Sequence, residues 1–153
     1  MNGLRSDYLE NLSNLCLYRF RSVVPCDMIN DLKVGDQFIC NLDTSHEKGS
    51  HFVALSVKKG EVLYVDPYGL PCINKYIQSS FSKYGINKIY YSKKPIQSSI
   101  SLFCGYFCLA FLICDERGMS LKEFFSLFKA HDVQANEKIA TKLIKRAIID
   151  RYR

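Results

Sequence analysis

The chain has 153 residues, 48% hydrophobic and 13% aromatic, which is enough for a buried core and too apolar for a disordered chain. Formal net charge is +6, and seven cysteines make an odd number. The longest apolar run, around Ile100 to Cys114, is broken by Ser101 and Gly105 and is too short to span a bilayer. Asp7 and Glu10 stand where a signal peptide would be apolar. The expectation is one domain over residues 1–153, with no membrane partner and with reduced thiols in an intracellular or particle-interior setting.

Along the chain, Tyr8, Leu9, Leu12 and Leu15 recur at helical spacing and predict a helix over residues 5–15, capped by Ser6 or Asp7. LYRFRSVVPCD reads as an extended arm ended by Pro25. QFICNL (37–42) reads as a strand, followed by the polar loop DTSHEKGS. HFVALSV, the turn KKGE and VLYVDPYG predict a hairpin. Centring its turn on Lys59-Gly60 sets Val53 opposite Asp66, and His51 then shares that face as a diagonal neighbour. INKYIQSSFSKY (73–84) suits a helix that Gly85 ends, NKIYYS a strand, and Pro95 to Ser101 a loop. Phe103, Phe107, Ala110 and Phe111 predict a helix to about Asp115. Ser120 caps a further helix, LKEFFSLFKA. Residues 134–150 form an amphipathic one with Ile139, Leu143, Ala147 and Ile148 inward. Strands in the middle with helices at both ends indicate an α+β fold.

Charge is unevenly placed. Between Pro67 and Cys114 there is no Asp or Glu, while Lys75, Lys83, Lys88, Lys93 and Lys94 fall there among Tyr76, Tyr84, Tyr90 and Tyr91. This pattern fits a solvated basic surface or a face for nucleic acid or another polyanion. A second basic stretch runs through Lys138, Lys142, Lys145, Arg146, Arg151 and Arg153, against Glu137 and Asp150.

Four residues carry candidate chemistry. Cys104 starts a helix, where free N–H groups and the helix dipole favour a thiolate, and Gly105 leaves room for an incoming carbonyl. Cys16, Cys40, Cys108 and Cys114 sit in apolar surroundings and read as buried thiols. His51 gains meaning from its pairing with Asp66, whereas His46, in a polar loop, and His131, at a helix end, have no such partner. Asp66 also suits a turn, since Asp-Pro-Tyr-Gly is good turn chemistry, and a turn would fix the carboxylate. Gln97, taken alone, offers amide donors to an oxyanion or to a loop hydrogen bond. Cys104 and Cys108 lie one helical turn apart, but no second pair has zinc-ligand spacing, so no metal is expected. No Gly-rich loop suits a phosphate.

GSHFVAL, YVDPYG and PIQSSISLFCGYFCLAFL occur in the order His, acid, Gln, Cys, with the glutamine seven residues before the cysteine. In this the chain resembles the adenain family, the adenovirus maturation proteases, within the superfamily that includes SUMO-specific proteases. The likeness runs from about Leu17 to Leu112 and is nearest the proteases of Maverick/Polinton-type elements and related large DNA viruses. It implies a papain-like α+β domain in rearranged order, with a central mixed sheet flanked by helices. It further implies a cysteine peptidase with His51, Asp66 and Cys104 catalytic and Gln97 in the oxyanion hole. Phe52 stands where the family commonly has Trp, and Asp66 where adenain has Glu. Around Ile86 and Asn87 there is no cysteine to join an activating peptide. The resemblance therefore implies no required cofactor, leaves a DNA or peptide activator open, and points to a monomer acting on protein substrates in the host nucleus or virion interior. Three rivals differ in function: a deconjugase of ubiquitin-like modifiers, an acyltransferase using the same triad, and a non-catalytic DNA-binding or scaffold module.

Overall fold

A computed structural model describes residues 6–47, 51–98 and 103–152. Parts of the loops assigned above at 43–50 and 95–101, and Arg153, fall outside these residues. In chain order the elements are α1 (Ser6–Cys16), β1 (Phe20–Pro25), β2 (Gln37–Asn41), β3 (Phe52–Lys58) and β4 (Glu61–Val65), followed by α2 (Lys75–Lys83), β5 (Lys88–Tyr90), α3 (Cys104–Glu116), α4 (Leu121–Ser126) and α5 (Val133–Arg151). The five strands form one mixed sheet in sequence order: β1 and β2 run parallel, β2, β3 and β4 antiparallel, and β4 and β5 parallel. Helices flank it, so the architecture is α+β. No helix of the described residues is long and apolar enough to cross a membrane.

Strand alternation divides the apolar residues between two cores. Ile39, Phe52, Ala54 and Val65 pack with α3, α4, α5 and α1 on one face. Phe38, Cys40, Val53, Leu55, Val62 and Tyr64 pack on the other with Ile77 and Phe81 of α2. Because β3 is central and covered on both faces, all of Phe52 to Val57 is buried. The hairpin register follows from its tight turn: Lys58 pairs Glu61 and Ala54 pairs Val65, the register expected from a turn centred on Lys59-Gly60. Gly60 at φ +70° supplies the left-handed residue that turn requires.

Three elements depart from their sequence patterns. α1 buries Leu9, Ser13 and Cys16, while Tyr8 and Leu15 of the expected stripe are exposed. α3 is not one-faced: every residue from Phe107 to Asp115 is buried, because the sheet, α5, α1 and α4 surround it. α4 stops at Ser126 rather than near Ala130. Ser120 and Glu123 form the expected capping box, but Phe128 turns back to meet Phe107 and Phe124 at 5.9 and 4.9 Å. Tertiary packing ends the helix, and His131 then lies in a turn at φ +65° instead of closing a helix.

Asp115 anchors α3 to the sheet. Its buried carboxylate accepts hydrogen bonds from Ser56 (2.5 Å), Gln37 (3.1 Å) and the Lys58 ammonium (3.0 Å), so the charge is both paired and hydrogen-bonded. Next to it, Glu116 caps the entry to β1 by accepting the N–H groups of Tyr18 and Arg19.

Candidate active site

His51 immediately precedes β3 and Asp66 immediately follows β4, so the two lie together at the open end of the hairpin. The imidazole Nε2 is 2.8 Å from Asp66 Oδ1, with both side chains largely buried. The same carboxylate oxygen accepts the N–H of Tyr68 at 2.8 Å, and the Asp66 carbonyl accepts Gly69 N–H at 2.8 Å. The turn and the base-orienting contact are thus one structure: the turn holds the carboxylate where the ring meets it. Tyr68 then lies over the imidazole, ring centroids 4.4 Å apart and planes 22° from parallel.

With Nε2 committed to Asp66, Nδ1 is the ring nitrogen left to face a thiol. It is buried and meets no oxygen or nitrogen among the described residues. Cys104, the first residue of α3, is the neighbour to which the ring is electrostatically coupled, each shifting the other's protonation. Burial opposes the imidazolium, but the Asp66 hydrogen bond, the Cys104 contact and the negative charges of both raise the His51 pKa from 6.5 to about 9. Burial likewise opposes the Cys104 thiolate. The His51 hydrogen bond, a backbone hydrogen bond at Phe52, the imidazolium charge and a further backbone bond at Gly105 outweigh it, and the thiol pKa is lowered.

That direction sets Cys104 apart. All seven cysteines are free and buried. In the other six, burial drives the thiol pKa upward: to about 11 in Cys16, Cys72 and Cys114, upward in Cys26, and well above the ordinary value in Cys40 and Cys108. Cys108, one turn further along α3, donates instead to the Phe52 carbonyl. A thiol of lowered pKa beside a histidine held by a carboxylate is competent for nucleophilic chemistry.

Gln97 is buried in the loop before α3. The main-chain N–H groups of Ile96 and Gln97 both donate to the Pro67 carbonyl, at 2.9 and 3.2 Å, which fastens this loop to the turn carrying Asp66. Gly69 is needed for the approach: a Cβ there would lie 2.5 Å from the Lys93 carbonyl oxygen.

Asn136 of α5, which sequence reasoning did not single out, completes the support. It is fully buried; its amide donates to the carbonyls of Ile96 (3.1 Å) and Lys129 (2.7 Å) and its oxygen accepts Lys129 N–H. A polar residue at a helix-core position was its one signal. Replacing Asn136 with Leu should destabilise the protein by about 2–3 kcal/mol, since three main-chain partners lose their bonds inside the protein. A denaturant midpoint unchanged from wild type would remove Asn136 from this role.

Of the lysines weighed for polyanion contact, Lys75, Lys83, Lys88 and Lys93 are exposed on α2, β5 and the loop beyond. Lys75 and Lys83 lie over the rings of Tyr76 and Tyr84. Lys94 is drawn away from that surface: its ammonium donates to the carbonyls of Phe125 and Phe128 at the end of α4. Among the described residues, no group of three His, Cys, Asp or Glu is placed to hold a metal ion. No protein-family model matches the chain, and no curated protein is matched by it.

Proposed function

We propose that the chain is a cysteine endopeptidase with a papain-like fold in rearranged order, processing viral or element-encoded precursor proteins during particle maturation. The observation that carries this reading is the contrast among the thiols: one lowered thiol, on a helix N-terminus against a carboxylate-held histidine, among six that burial silences. The resemblance to the adenain family supplies the substrate class.

In the reaction, Cys104 meets the substrate as thiolate, with His51 as imidazolium. The sulfur attacks the scissile carbonyl carbon, and negative charge moves to the carbonyl oxygen. The Gln97 amide and the Cys104 N–H receive that charge. Collapse breaks the C–N bond as His51 gives its proton to the departing amine. Water, deprotonated by His51, then attacks the thioester; the carboxylate product leaves and the thiolate–imidazolium pair returns. Asp66 keeps the ring oriented and favours its charged form throughout.

Incubating wild type and Cys104→Ala with a peptide library, with and without DNA, and sequencing the new N-termini tests the proposal directly. Cleavage by Cys104→Ala, or none by wild type in either condition, would refute it. Gln97→Ala should still be alkylated at Cys104 but lose roughly 100- to 1000-fold in turnover. Equal loss of both would mean that the substitution disturbs the thiol rather than the oxyanion.

A further inference from the structure

We propose that an open groove between α1 and the N-terminal half of α5 receives the substrate on one side of the scissile bond and selects acidic side chains there. The inference rests on the peptidase reading and adds a substrate class to it.

The groove adjoins the residue that precedes the nucleophile. Phe103, the residue before Cys104, forms part of its wall. On α5, Asn136 holds Ile96, the residue before Gln97, and the neighbouring Glu137 lines the groove. The segment that presents the nucleophile therefore adjoins the groove through Phe103, and the helix that forms its other wall also holds the segment that presents the glutamine. From there a cavity of about 630 Å³ follows α5 and meets a second of about 310 Å³ that shares Phe103, Thr141 and Lys145 and reaches Leu12 and Tyr8 of α1.

Its chemistry has two parts. Phe103 and Tyr106, with ring centroids 4.9 Å apart, give an apolar surface. Above it Lys138, Lys142 and Lys145 project from successive turns of α5. Among the described residues none of the three is matched to a carboxylate in an ion pair, and Glu137 is the one acidic residue lining either cavity. The other basic residues of this region are engaged: Arg146 and Arg117 pair with Asp150, and Arg151 stacks on Tyr18 and donates to the Leu17 carbonyl. The remaining positive charge is thus concentrated along the groove.

Its length favours a peptide. At 1.5 Å per residue, Lys138 to Lys145 spans about 10 Å of helix, the reach of about three residues of extended chain. Such a track meets few phosphates of a nucleic acid, whose affinity grows with the number neutralised. Against a peptide, three cations over an aromatic floor match carboxylates flanking an apolar side chain.

Binding can be measured without turnover, using the Cys104→Ala protein and two fluorescent peptides that differ only in three consecutive Glu or Gln residues. The Glu peptide should bind roughly tenfold tighter, as three exposed ion pairs permit, and the preference should fade in high salt. Lys142→Glu with Lys145→Glu, both exposed positions, should remove or invert it. Equal binding of the two peptides, or a preference untouched by charge reversal, would overturn the proposal. Groove-dependent binding of a single-stranded oligonucleotide in preference to the Glu peptide would overturn it too, in favour of a nucleic-acid surface. Wild-type cleavage of the same peptides judges the peptidase reading separately: selective acidic binding without cleavage would leave the groove standing and the protease reading refuted.

Discussion

Cys104→Ala should abolish turnover while leaving the free energy of unfolding within about 1 kcal/mol of wild type, because the change removes one small atom at a helix start and alanine favours helix. The stronger test is the number of modified sites. A brief exposure to iodoacetamide at neutral pH should modify the native protein once, at Cys104, because the remaining thiols, equally buried, carry raised pKa values. Peptide mapping by mass spectrometry reads the site, and the variant should take up no label. Modification of Cys72 or Cys16 at a comparable rate would mean that the His51 contact does not activate the sulfur, and the mechanism would fall with it.

Asp66→Ala should cost on the order of 10³- to 10⁴-fold in turnover, the scale seen when the orienting carboxylate of such a triad is disabled. The pH profile separates charge from geometry. In the native protein His51 is protonated up to about pH 9, so turnover, which needs an imidazolium to protonate the leaving amine, should decline as pH rises through about 9. Alkylation by a neutral reagent needs the thiolate alone and should not decline there. Removing the carboxylate takes away the foremost cause of the raised value, so the alkaline limb should move down toward the ordinary histidine range. Asp66→Asn keeps an acceptor for Tyr68 N–H and should preserve the turn while still lowering that limb. An alkaline limb unmoved in both variants would separate it from His51. By linkage, the raised pKa contributes stability that is fully present below about pH 6.5 and is lost as pH climbs through about 9.

Sequence pattern was sufficient where one local rule governs. Turn chemistry at Lys59-Gly60 determined the hairpin register, and strand parity then associated His51 with Asp66, fifteen positions apart. A helix starting close to Cys104 could be read from the periodicity of Phe103, Phe107, Ala110 and Phe111. Patterns were insufficient where distant segments decide the outcome. Of the stripe on α1, Leu9 is buried, but Tyr8 and Leu15 are exposed, and Ser13 and Cys16 complete the buried face. α4 looked longer than it is because the helical spacing continues to Phe128, whose side chain packs equally well from a turn. Asn136 could not be seen as a support for the Gln97 loop, since its partners lie forty residues upstream and at Lys129. Tyr68 was read as turn chemistry alone; that its ring would cover the imidazole depends on where the turn delivers it.

The Pro67 carbonyl has a consequence for how this centre can change. By accepting two N–H groups from the segment at Ile96 and Gln97, it couples acid and glutamine mechanically, and Gly69 permits the backbones to touch. A bulkier residue at position 69 would push Lys93 outward and drag both functional groups from their places at once. Substitutions there should impair the acid and the glutamine together rather than one at a time.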